Sequence, residues 1–251
     1  MTHARRTLVL AALCALLSTA AKAEGSRFGR CAAPPDSVAD IFPLPRTAKA
    51  LAAGGPVRIV AIGSTSSTGR GASSRDKSYV RLLSAELARA WAPRRVEVID
   101  KAAERQTAAM MAAAAVPEAV RLAPALVVWE TGTTDSIRRL DPTDFGDALE
   151  TGIAALRAAG ADVVLVTPQF SPATATLINF EDYREIMLRA ATAQAATVLR
   201  RGEIMRQLFE SGEFAIERGG DPKAATAAVD GLNACLARLL ADTIRRGAAT
   251  P

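Results

Sequence analysis

The chain is almost without histidine. Its 251 residues contain one, His3, and that one falls in a stretch read below as a removable leader. A mature protein with no imidazole has no histidine base and no histidine metal ligand, which excludes the commonest hydrolytic and zinc chemistries. Cysteine is also scarce, with Cys14, Cys31 and Cys235 only. None of them has a CxxC neighbour, so neither a redox nor a metal role is indicated. Aromatic residues make up just 4%. There is no GxGxxG. Gly63 and Gly69 are separated by five residues where a phosphate-binding loop has four, and Arg70-Gly71 stands where Lys-Ser/Thr belongs, so nucleotide fingerprints are absent. No internal repeat or low-complexity tract occurs, and no cofactor is indicated.

Residues 1–23 read as an export signal. Arg5 and Arg6 precede a mostly apolar run, Thr7–Ala21, and Ala21-Lys22-Ala23 is a small-x-small cleavage site. The run is too short and alanine-rich for a membrane span, and the general secretory route is the default beside twin-arginine export. A periplasmic or secreted location follows. Removing Arg5, Arg6 and Lys22 lowers the formal charge from +5 to +2, and a near-neutral domain gives no reason to invoke nucleic acid. In an oxidising compartment the remaining pair, Cys31 and Cys235, is expected to form a disulfide. Closing so long a loop contributes up to about 5 kcal/mol in the chain-entropy model.

The remainder is ordered as a lead-in segment, 24–56, and one domain, 57–251. The lead-in is rich in proline and glycine, with a short helical piece around Arg46–Ala53. Buried strands are expected at Val57–Ile62, Val96–Ile99, Ala125–Trp129 and Asp162–Thr167. Their continuous apolar character suits parallel strands covered on both faces. Between them, Tyr79, Leu83, Leu87 and Trp91 mark one helical stripe, and an alanine-rich region covers Gln106–Leu122. Asp141 and Pro142 open another helix that Gly160 stops. Helices are also expected from Glu181 to Leu199, with Val198 on the stripe, and around Leu232–Ile244. This alternation predicts an α/β fold, a three-layer α/β/α sandwich with a doubly wound, flavodoxin-like parallel sheet.

The first strand ends at Gly63 in five hydroxyl residues, Ser64 to Thr68. Open α/β sheets place ligands at the carboxyl ends of their strands. The strand-end segments IVAIGSTSSTG, the loop after VEVID, LVVWETGTTD and DVVLVTPQF, with the terminal GLNACLARLLADTI, together resemble the SGNH (GDSL-type) hydrolase family over nearly all of the mature chain. The resemblance implies an ester-hydrolase fold. In that family a serine attacks an ester carbonyl and a histidine from an Asp-x-x-His pair acts as base. A glycine amide, an asparagine side chain and the serine's own amide hold the oxyanion.

At the chemical positions this sequence departs from the pattern. Thr65 stands at the nucleophile, with Ser64 one position off and expected to point the other way. Ala102 replaces the oxyanion glycine and Thr134 the asparagine. Asp230 and Asn233 have the Asp-x-x-His spacing with asparagine in place of histidine. In a second alignment the pair falls near Ala224 and Ala227, and Asp230 is a helix N-cap. Gly63, Glu130, Gly132, Asp135 and Gln169 complete the expected pocket, and Lys77 and Lys101 are the nearest lysines. The expectation is an exported relative of ester hydrolases, impaired in catalysis, that binds an ester or carbohydrate ligand or a protein partner. The alternative is a weakly active serine or threonine esterase.

Overall fold

Each of the four expected strands forms, and two short ones join them. The structure, a computed structural model, describes residues 31, 38–175, 177–214 and 221–249. The expected leader therefore lies outside the described residues. Within residues 1–32 only Cys31 is described; it is disulfide-bonded, as is Cys235.

The sheet consists of β1 (Ala39–Asp40), β2 (Val57–Ile62), β3 (Val96–Asp100), β4 (Leu126–Glu130), β5 (Asp162–Val166) and β6 (Thr197–Leu199), in the spatial order β1-β6-β5-β4-β2-β3. Strands β2 to β6 pair parallel. At one edge β1 pairs antiparallel with β6, so the sheet is mixed rather than wholly parallel. The order of the parallel strands reverses between β2 and β4. That reversal is a topological switch point, where the loops leaving two neighbouring strands part and open a crevice.

Among the described residues, eight helices accompany the sheet: α1 (Pro45–Ala52), α2 (Tyr79–Ala90), α3 (108–121), α4 (Thr133–Arg138), α5 (Pro142–Ala158), α6 (Glu181–Ala193), α7 (Arg201–Glu210) and α8 (Pro222–Ala249). The middle of α3 is a π turn at Met111–Ala115, leading into Pro117, which has no N–H to offer the preceding turn. On one face Val60, Ile62, Val127, Trp129, Leu165 and Val198 form a fully buried layer against α3, α5 and α6. On the other, α8 lies along α2, burying Cys235, Leu236, Leu240 and Ile244. By length and apolarity α8 could cross a bilayer, but these residues are turned inward.

Two helical expectations are corrected. The helix from Glu181 ends at Ala193, and Val198 belongs to β6. The chain turns at Ala195 with φ +48°, a left-handed conformation normally marked by glycine. The last helix begins at Pro222, where Asp221 accepts the Lys223 N–H at 3.0 Å. Asp230 is therefore interior to the helix and is not its N-cap.

Packing on the first face leaves no room at Gly152 of α5, where an added Cβ would lie 2.4 Å from Trp129 Cη2. Gly152→Ala is expected to destabilise the fold by about 1–3 kcal/mol through overpacking, despite alanine's better helix propensity. Urea denaturation checks the sign; a stabilised variant would contradict this packing.

Candidate active site

The site is assembled from a single buried carboxylate outward. Glu130 ends β4 facing α2 and α8, and its side chain is fully buried. Its Oε2 accepts the Ser64 N–H at 2.9 Å and the Ser67 hydroxyl at 3.0 Å. Its Oε1 accepts Arg201 Nη2 at 3.1 Å and, at 3.4 Å, the Thr133 hydroxyl. Ser67 has one proton to give and gives it to Glu130, so the 2.7 Å contact between Ser67 Oγ and the Tyr79 hydroxyl has Tyr79 as donor. Tyr79 is thereby kept protonated: burial, and secondly the charge of Glu130, pushes its phenol well above the ordinary tyrosine range.

Arg201, the first residue of α7, is the partner. Its Nε donates to the Thr167 carbonyl at 3.1 Å, Nη1 to Ser66 Oγ at 3.0 Å, and Nη2 to Thr133 Oγ1 at 3.2 Å besides Glu130. One guanidinium thus fastens the loops after β2, β4 and β5 from the end of β6. Its side chain is 2% exposed and that of Glu130 0%. Gly63 is required by this arrangement, since a Cβ there would lie 2.4 Å from Ser67 Oγ.

Above this network the two candidate hydroxyls diverge. Ser64 is extended, with φ −102° and ψ −159°, and its buried Oγ lies 2.7 Å from Thr134 Oγ1. Thr65 begins a short 3₁₀ turn, is half-buried, and accepts the Arg105 N–H on its Oγ1 at 2.8 Å. Expected to point to opposite sides, the two residues nevertheless line one cavity. They share a cavity of about 500 Å³ whose floor is made by Ser64, Thr65, Ser66, Thr133 and Thr134. Its rim carries Arg70, Arg105 and Arg138, with Ile137 and Gln169. A second, largely apolar cavity of about 310 Å³ adjoins it through Ser66, Arg70 and Gln169, and includes Phe170, Phe209 and Leu232.

Several expected site residues lie elsewhere. Ala102 donates its N–H to Asp100 Oδ1 at 3.0 Å and does not line the Ser64–Thr65 cavity; the loop amide that reaches Thr65 is that of Arg105. Asp230 lies on the surface, where its carboxylate accepts the Ser73 N–H at 2.9 Å and the Ser73 hydroxyl at 2.5 Å. Those two bonds hold it below the usual carboxylate range. Asn233 is buried and borders the apolar cavity. Glu130 and Asp135 sit beneath the pocket rather than in its wall, as do Gly63 and Gly132. Gly132, at φ +88°, approaches Pro168 too closely for a side chain. Lys101 pairs with Glu118 at 2.5 Å. Arg201 and the three rim arginines were not expected from the sequence.

A scan of family models matches residues 30–250 to the non-GDSL lipase-like family. The chain belongs to that family. No curated protein matches it. Among solved structures, it is similar to a two-domain esterase, CEX, active on acetylated mannans (14% identity, TM-score 0.68, covering 86% of this chain and 58% of that one). It is also similar to a lipase/acylhydrolase from Enterococcus faecalis (19%, 0.60, 76% and 96%) and to TesA (21%, 0.54, 72% and 99%). At these identities the likeness is one of fold, that of the SGNH/GDSL hydrolases.

Two outcomes follow from the buried groups. Arg201→Met leaves the Glu130 charge uncompensated and is expected to cost about 3–5 kcal/mol of stability. Adding Glu130→Gln to that variant should recover much of the loss, and chemical denaturation of both variants measures it. Asp135 accepts the Ala108 N–H at 2.9 Å, and its other oxygen is buried with no hydrogen-bond partner. Burial raises its pKa, with the Ala108 amide opposing. A raised carboxyl stabilises the fold fully below the unfolded pKa, about 4, and that contribution is lost as pH rises through the folded value. Asp135→Asn removes this loss, so its stability relative to wild type should increase between pH 4 and 7. A pH-independent difference would contradict the assignment.

Proposed function

We propose that this protein is an exported relative of the ester hydrolases that binds a small polar ligand at the switch-point pocket without turning it over. The observation that carries the reading is the chemistry of the pocket wall. Its described residues offer hydroxyls, one primary amide, an isoleucine and three guanidiniums. None of these accepts a proton at neutral pH. The Thr65 hydroxyl, at the nucleophile position of the family pattern, accepts an amide proton from Arg105 and has no base in the cavity wall to take its own proton. General-base assistance contributes typically 10²–10⁴ in rate, and the replacement of asparagine by Thr134 removes a further side-chain amide from the place where an oxyanion would be held.

The lineage supports the kind of ligand. The solved relatives include proteins described as esterase, lipase and acylhydrolase, one of them active on acetylated mannans, so an ester or carbohydrate is the chemistry inherited by the pocket. That Cys31 and Cys235 are disulfide-bonded suits an oxidising compartment.

Purified protein lacking residues 1–23 is expected to hydrolyse p-nitrophenyl acetate no faster than buffer, to be unchanged by Thr65→Ala, and to resist labelling by a fluorophosphonate probe. Steady turnover abolished by Thr65→Ala would sink the binding-only reading.

A further inference from the structure

Three arginines reach the mouth of one cavity from separate loops. Arg70 follows the hydroxyl turn after β2, Arg105 lies in the loop after β3, and Arg138 ends α4 after β4. No carboxylate lines the cavity with them. Placing like charges around one concavity costs energy, and concavities with low-dielectric walls focus the resulting field. The nearby counter-charge is Glu104, which pairs with Arg70 at 3.1 Å. Both side chains are more than half exposed, so that pair neutralises little. The cavity lining thus holds three guanidiniums and no carboxylate.

The loop carrying Arg105 is also held in a costly shape. Arg105 has φ +60°, and Arg139, beside Arg138, has φ +53°. A non-glycine residue pays for the left-handed region, and such residues concentrate at ligand clamps and active sites. Here the neighbours fix the shape: the Arg105 N–H donates to Thr65 Oγ1, and its carbonyl accepts Arg138 Nη2 at 3.2 Å. The two arginines and the threonine of the pocket floor therefore form one braced unit. None of this is needed by the core, which lies beneath the Glu130–Arg201 layer.

We propose that the pocket recognises a carboxylate, taking a small organic acid by its charged end. Guanidinium forks match a carboxylate's two oxygens, and the floor hydroxyls can donate to the same oxygens or to a hydroxylated body. The proposal rests on the binding reading above and adds the charge of the ligand to it. The source of the carboxylate is either a sugar acid seated on the hydroxyl floor or an alkyl acid whose chain enters the adjoining apolar cavity.

Calorimetric titration of the mature protein with glucuronate and octanoate, each beside its neutral methyl ester, tests this. The expected result is that at least one acid binds tenfold or more tightly than its own ester. Added NaCl should weaken that preference, because screening acts on exposed charges, and Arg138→Gln should abolish it while Arg138→Lys keeps part. If Arg138→Gln fails to fold, the salt dependence of the wild type and Arg70→Gln carry the same comparison. Preference for glucuronate identifies a sugar acid; preference for octanoate identifies an alkyl acid. Equal binding of acid and ester overturns the carboxylate proposal and leaves the binding reading standing. No binding of any of the four at millimolar concentration overturns both. Hydrolysis of a methyl ester, with the acid still binding more tightly, overturns the binding-only reading and leaves the carboxylate preference intact.

Discussion

The strand-end region depends on one ion pair, Glu130 with Arg201. A buried charge pair is not by itself a stabilising device, because desolvation consumes most of the Coulombic gain. Its value here is geometric. The carboxylate has four donors and the guanidinium reaches four acceptors, and between them these bonds connect the loops after β2, β4 and β5 to the start of α7. Removal of either partner leaves an unpaired charge where water cannot reach, so alternative loop arrangements are strongly disfavoured. The Ser64–Thr65 cavity is held open from below, by groups that do not line it.

The cavity wall and its support are built from different residues. Thr65, Thr134 and Arg105 line the cavity at the upper side of the strand ends. The support lies underneath, in Glu130, Ser67, Tyr79 and Arg201, and is complete. Shape and chemistry are thus maintained by different residues. Substitution in the upper set alters what the cavity does without altering whether it exists.

How much of this could be read in advance differs by element. The parallel strands were legible because continuous β-branched runs such as VRIVAI and LVVWE have few other uses, and the α5 boundary because Asp141-Pro142 is a two-residue signal. The same signal stands at Asp221-Pro222 and marks the true start of α8, while the apolar run after Asp230 imitates a second start inside it. The end of α6 was illegible for a physical reason. Tyr183, Met187, Ala190, Gln194 and Val198 keep helical spacing straight through the break, and the left-handed turn at Ala195 uses alanine where glycine would have announced it. Losing β6 in that helix also hid Arg201, since its importance comes only from following a strand end. Ser64, Thr65 and Thr134, which the family resemblance singles out, line one cavity at the strand ends. The rim arginines were not legible, because three arginines scattered over about seventy residues look like ordinary surface until the topology gathers them.

The tether between Ser73 and Asp230 has a consequence in time. These residues are 157 positions apart, and other partners stand still farther apart in the chain: Asp40 meets Val198 across the β1–β6 edge, and Leu44 donates its N–H to the Gly247 carbonyl. The loop after β2 is therefore secured by residues far along the chain, Arg201 of α7 and Asp230 of α8. Contacts of such separation slow folding, since most of the chain must be placed before they form. The cavity at the strand ends is a product of the whole sheet and not of the segment whose hydroxyls floor it.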